Sequence, residues 1–403
     1  MHPRFTSLVL LTLLATPLVQ ATEKLSVTVS HELALARPSE TITLPWSEVN
    51  LALPGALIQR IAVKDASGRV LPHQVTNIAP LAKDPKNTGI AYGELIFQYS
   101  FAAGEKLATF SVEKIDTLAP PFPTQASARL VPERLDDFAW ENDKIGHRTY
   151  GPALAAPAAP GMSKEVLVSS GLDIWCKRVA YPIVDRWYNK GHDHYHKDEG
   201  EGMDMYNVGK SRGAGGTGIW DGHILYTSRN FSSAKVIANG PVRAIFELSY
   251  DSWDAGGTRV AEVKRFTVDA GHYFDRIDST FTFTGPQQLT VAVGLNKTPA
   301  DKGQNPTIDV IQDSANRSLI QWIEQSGNGA MGAAIVLPDS DGYAQDPLNH
   351  LILAQVSSGK PLRYYTGAGW IRAGEFSTGS DWKTHVAAEA IRASNPVRVV
   401  LAH

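Results

Sequence analysis

The 403-residue chain sets 38 Lys and Arg against 41 Asp and Glu, a formal net charge of −3, and so offers neither the basic footprint of a nucleic-acid binder nor a polybasic membrane patch. Its one cysteine, Cys176, excludes an intramolecular disulfide framework and any cysteine-rich zinc or iron–sulfur site. Stability must come from core burial, and the partner that suits this composition is a small or polymeric polar ligand.

At the N-terminus, Arg4 precedes an apolar run from Leu8 to Leu18, and Val19 and Ala21 put small residues three and one positions before a cut. This is the pattern of a secretory signal peptide over residues 1–21. The run is too short to span a bilayer and no later apolar stretch reaches about 18 residues, so a periplasmic or secreted protein without a membrane span is expected. Beyond it, apolar and polar residues alternate over 42–45, 94–101 and 244–250, with turn signals at 65–68, 254–257 and 269–271; these predict antiparallel β-strands. A proline-rich break over 119–124 disfavours both helix and central strand. It divides an N-terminal β-sandwich domain, 22–120, from a larger unit, 125–403.

The larger unit opens on a dense cluster: Arg134, Trp140, Glu141, Asn142, Asp143, His147 and Arg148. Sugars are bound with this vocabulary, because an aromatic face stacks on a pyranose while Asp, Asn and Arg make paired bonds to hydroxyls or to a uronate carboxylate. An ion-pair and capping network would use the same residues. Residues 153–160, rich in Ala and Pro, read as a surface loop.

A second cluster over 186–204 holds Arg186, Trp187, two lysines, His192, His194, Tyr195, His196 and several acids. In an extended segment the three histidines share one face. With Glu199 they would then hold one divalent metal, zinc or calcium, and leave a position open; a metal-free acid/base cluster and a solvated histidine loop are the alternatives. The glycine-rich run 209–218 lacks the first glycine of a phosphate loop, since position 204 is Asp204, and no nucleotide site follows. Its glycines let backbone approach a ligand or form the bend that carries Trp220 and Asp221, a plain loop being the alternative; Lys210, Trp220 and Arg229 are expected as further substrate-binding residues. From Arg229 to Val293, five long strands joined by tight turns predict a broad meander sheet that packs on a second sheet. The predicted fold is mainly β, a small N-terminal β-sandwich followed by a large antiparallel β-sandwich.

The words over 131–143, 150–152, 173–178, 195–204 and 239–243 together resemble the secreted family called domain of unknown function 4861, over most of residues 25–400. The resemblance implies a galactose-mutarotase-like supersandwich and a place among proteins of bacterial polysaccharide use, alongside pectin- or uronate-degrading enzymes. It carries over no catalytic residue.

Three functions fit the two clusters. In a lyase cleaving a uronic-acid-containing poly- or oligosaccharide by β-elimination, Arg148, Arg186 or a metal neutralises the carboxylate. His194 or Tyr195 then takes the C5 proton, and Tyr206 or His196 protonates the leaving oxygen. In a glycoside hydrolase, two of Glu141, Asp143, Glu199, Glu201 and Asp204 work as a pair. In a periplasmic sugar-binding protein the cluster binds without turnover. Elimination is the expected reaction.

Overall fold

The computed structural model describes residues 24–78, 93–119, 121–300 and 305–402; the expected leader lies outside them. The small sandwich faces a five-stranded sheet, in the order Arg398–Ala402, Lys24–Ser30, Leu107–Lys114, Ile61–Asp65, Val70–Leu71, against a three-stranded one, Arg37–Pro45, Gly93–Phe101, His73–Asn77. Period-two patterning does the sorting: in Lys24–Ser30, Leu25, Val27 and Val29 are fully buried and Lys24 and Ser26 are exposed. The large unit is expected over residues 125–403. The last strand instead pairs antiparallel with the first, Val399 opposite Val29, because its alternating Val399 and Leu401 pack on the small core. The chain therefore begins and ends in the small sandwich.

The large unit is the expected supersandwich. An eight-stranded antiparallel sheet runs Ser233–Ala238, Arg243–Ala255, Thr258–Asp269, Phe274–Phe283, Pro361–Trp370, Gly329–Val336, Ser318–Gln325, Thr307–Asp313. Two five-stranded sheets cover one of its faces, and a single apolar core that includes Phe138, Phe246, Phe266, Leu295 and Ile352 draws on all three. Phe246 and Phe266 stack at 4.5 Å. The outer face is covered by the helix Gly379–Ser394, which buries Trp382 and Val386 and starts on a capping box between Thr378 and Asp381. No helix among the described residues is long and apolar enough to cross a membrane.

One of the two five-stranded sheets positions the site. Its order is Gly202–Asp204, Asp173–Lys177, Ile145–Thr149, Asp137–Glu141, Ser127–Val131, and its three central strands are buried at every position. The face away from the core is covered by two short helices, Val184–Lys190 and His192–Tyr195, packed on Trp175 and Ala139. Glu141 anchors the first, accepting from the Ile183 and Val184 amides at 2.9 Å, a favourable place for a carboxylate. Gly191, at φ 93°, ends that helix and starts the next, a backbone conformation that suits glycine.

Candidate active site

With both faces of this sheet covered, its charged side chains must satisfy one another. Arg148 is the hub. Its Nε donates to Asp173 Oδ2 at 2.7 Å, Nη2 to Asp204 Oδ2 at 2.9 Å and Nη1 to the Tyr195 hydroxyl at 3.2 Å; Asp137 Oδ2 stands 3.7 Å from Nη1. The rings of Tyr195, Trp175 and Tyr150 surround the guanidinium at 5.4, 5.5 and 5.7 Å. Tyr150 donates its hydroxyl to Asp173, and Tyr188 to Asp137, each at 3.2 Å. Three carboxylates thus share one cation. Burial pushes the Asp137 carboxyl up to about 6, with Arg148 and Arg134 pulling the other way, and raises Asp173 as well.

A cleft of about 510 Å³ opens above this cluster, lined among others by Arg134, Arg148, Tyr150, Glu165, His192, His196, Lys197 and Asn207. The two dense segments of the sequence meet here. His192 and His196 lie one helical turn apart, with ring centroids 4.6 Å from each other. The Nδ1 of His196 is 3.1 Å from the carbonyl of Asp204; a carbonyl only accepts, so Nδ1 carries the proton and Nε2 the lone pair. Burial, then the charge of Arg148, lowers the pKa of this imidazole. Arg134 donates through Nη2 to Glu165 at 2.6 Å. Its Nη1 is buried with no hydrogen-bond acceptor among the described residues.

The extended histidine segment expected from the sequence is not formed. Residues 192–195 are helical, so side chains two apart diverge: His194 leaves the cleft and meets Glu199 at 2.9 Å, while His192 and His196 stay together. No three His, Cys, Asp or Glu side chains among the described residues come together as metal ligands, so the set of His192, His194, His196 and Glu199 expected to hold zinc or calcium does not converge.

Several other expected residues lie in the interior. Tyr206, expected as an acid, is 2 % exposed, donates to the Gly213 carbonyl at 3.0 Å and accepts from the Asn296 amide. Tyr195, expected as a base, is buried beneath Arg148. Trp140 is no sugar platform: it is fully buried, donates to Asp275 at 2.7 Å and stacks on His147. His147, also buried, is 2.9 Å from the Asp173 carbonyl. Glu141 is bound to Lys177 at 2.6 Å. Asn142 donates to the carbonyls of Asp269 and His272, and Asp143 accepts from the Gly271 amide. Trp187 packs on Trp175.

The remaining expected residues face elsewhere. Arg186 points outward to Glu201. Arg229 lines a separate hollow with Trp253. Lys210 is exposed beside cleft-lining Gly209, and Trp220 is half-buried on its strand. Of the residues singled out from sequence, Arg134, Arg148, His192 and His196 line the cleft. Sequence reasoning missed Tyr150, Glu165, Lys197 and Asn207 in its wall, and Asp137 and Asp173 behind it. Tyr150 was within reach, since it follows Arg148 at the two-residue spacing that puts strand side chains on one face.

Residues 29–399 match the family described as Domain of unknown function (DUF4861). Uncharacterized protein P7 of Formosa agariphila is 30% identical over 396 residues, covering 94% of each chain. Among solved structures, an alpha-mannosidase from Enterococcus faecalis superposes with a TM-score of 0.50 at 9% identity, over 94% of this chain and 46% of that one. The chain thus spans less than half of the mannosidase's length, and the likeness is one of fold.

Proposed function

The chain belongs to the DUF4861 family, and we propose that it is an exported carbohydrate-active enzyme that cleaves a uronic-acid-containing glycan in this cleft by β-elimination. Arg134 and Lys197, whose cationic side chains line the cleft, bind the uronate carboxylate and stabilise the charge that develops on it. His196 takes the C5 proton on Nε2, and the electrons of that C–H bond become the C4–C5 double bond as the C4–oxygen bond breaks. His192 gives its proton to the leaving oxygen. Arg148 is a positioning residue, because its donors are already occupied by Asp173, Asp204 and Tyr195.

The observation that carries this reading is an imidazole with its lone pair on Nε2, His196, beside two cationic side chains, Arg134 and Lys197, on one cleft. Of the two carboxylates in its lining, Glu165 is bound to Arg134 and Asp193 is 92% exposed. The five acids that a hydrolase could draw on are already paired: Glu141 with Lys177, Asp143 with Gly271, Glu199 with His194, Glu201 with Arg186, and Asp204 with Arg148 at the cleft floor. Mass spectrometry of products from uronate oligosaccharides tests the proposal. Elimination yields a fragment one water lighter than hydrolysis does; fragments carrying an added water would assign a hydrolase, and saturable binding without products would assign a sugar-binding protein.

A further inference from the structure

Away from the cleft, a cavity of about 270 Å³ sits where the small sandwich, the eight-stranded sheet and the helix Gly379–Ser394 meet. The junction is held by Gln98, which donates to the Ala270 carbonyl, and by His272 beside the Ser39 carbonyl. Five arginines line the cavity, Arg37, Arg243, Arg276, Arg363 and Arg392, against three carboxylates, Glu40, Asp269 and Glu389.

Most of the arginine donors are accounted for. Arg243 forks onto Asp269 at 2.6 and 2.7 Å, with Glu94 3.9 Å away. Arg37 donates to Glu40, Arg392 to Glu389 and Arg363 to Asp278, which lies just outside the lining. Two donors remain. The Nε atoms of Arg37, a residue 1% exposed, and of Arg276 are buried and meet no hydrogen-bond acceptor among the described residues. Arg276 Nη2 donates to Thr267 at 3.1 Å, while its Nε stands 3.3 Å from Asp278 Oδ2 without bonding geometry. Burial, and then the nearby Arg243 and Arg363 working against Asp278 and Asp269, lower the pKa of this guanidinium.

A buried cationic donor without an acceptor is costly and rare, and the guanidinium fork matches oxyanions. We propose that this cavity is an oxyanion-binding site that takes a sulfate- or phosphate-sized group, either free or as an ester on a sugar. The occupant bridges the two sandwiches and the C-terminal helix. This site is independent of the chemistry proposed for the cleft.

The test is to titrate the full chain with sodium sulfate, sodium phosphate and a monosaccharide sulfate ester at ionic strength held constant with sodium chloride, following heat of binding and melting temperature. Saturable binding with a rise in melting temperature is expected. Arg276→Gln and Arg363→Gln should each weaken it by about tenfold or more, and Arg134→Gln in the cleft should leave it unchanged. Tighter binding of the ester assigns a glycan-borne group, and tighter binding of an inorganic ion assigns the free anion. Should Arg276→Gln fail to fold, Arg363→Gln decides, because its side chain is 53% exposed and its loss is tolerable. No saturable binding of any of the three, or binding lost in Arg134→Gln and kept in the folded arginine variants of the cavity, overturns the proposal.

Discussion

On the outward side of the two short helices, Glu201 accepts from Arg186 at 2.8 Å and from Tyr181 at 2.9 Å, with Lys190 at 3.3 Å. Against the effect of burial, these bonds hold its carboxyl down at about 2. His194 is matched there with Glu199. On the cleft side of the same segment, three carboxylates share Arg148, Asp137 is pushed up to about 6, and an Arg134 donor has no acceptor among the described residues. Both sides use histidines, acids and basic residues. They differ in matching: the outward side is a closed set of ion pairs, and the cleft side keeps unmatched groups that a ligand can complete.

The largest effect that would break this contrast is on stability. Arg148→Leu leaves Asp137, Asp173 and Asp204 buried without their cation and should cost about 3–5 kcal/mol in denaturant unfolding. Arg186→Leu, on the exposed outward pair, should cost no more than about 1 kcal/mol.

Next comes pH. Asp137 has a folded pKa raised from 3.8 to about 6; the folded state holds its proton more tightly, so wild-type stability falls as pH rises through that window. Asp137→Asn should therefore gain on wild type between those values, by at most about 3 kcal/mol at about 1.4 kcal/mol per pKa unit. Glu201 has its pKa lowered from 4.5 to about 2, which has the opposite sign. Glu201→Gln should lose on wild type as pH rises through that lower range. Unfolding curves of both variants across acid pH measure the two slopes.

Activity gives the smaller contrasts. His196→Ala should lower turnover by about 10², or about 2.7 kcal/mol of transition-state stabilisation, while stability changes by no more than about 1 kcal/mol. Arg134→Gln should raise KM about tenfold by removing one charge-assisted bond to the uronate. His194→Ala should stay within about twofold of wild type, since its ring is bound to Glu199 outside the cleft. Steady-state kinetics on matched preparations check all three.

Much of the fold was legible because strands that bury one face show period two over many residues. The segments 94–101 and 244–250 fall inside Gly93–Phe101 and Arg243–Ala255. The return of Arg398–Ala402 to the first strand was not legible, because pairing between chain ends leaves no local mark. The meeting of the two charged segments could be read from composition, but the roles within them could not. Five residues from His192 to His196 are too few to tell a period of 2 from one of 3.6; the left-handed Gly191 turns the chain into a second helix, and His194 and His196 part. Trp140, expected as a sugar platform, and Tyr206, expected as an acid, show the other difficulty, since an aromatic ring with one polar atom suits a ligand site and a core position with a buried partner equally well.

The central claim is that His196 takes a proton from a uronate bound in the cleft. Its most direct test is the ultraviolet absorbance of the conjugated double bond, followed while wild type and His196→Ala are incubated side by side with uronate oligosaccharides. The account predicts a steady rise with wild type and a rate about a hundredfold lower with the folded variant. Equal rates in the two proteins, or oligosaccharide consumed by wild type with no new absorbance, would contradict it.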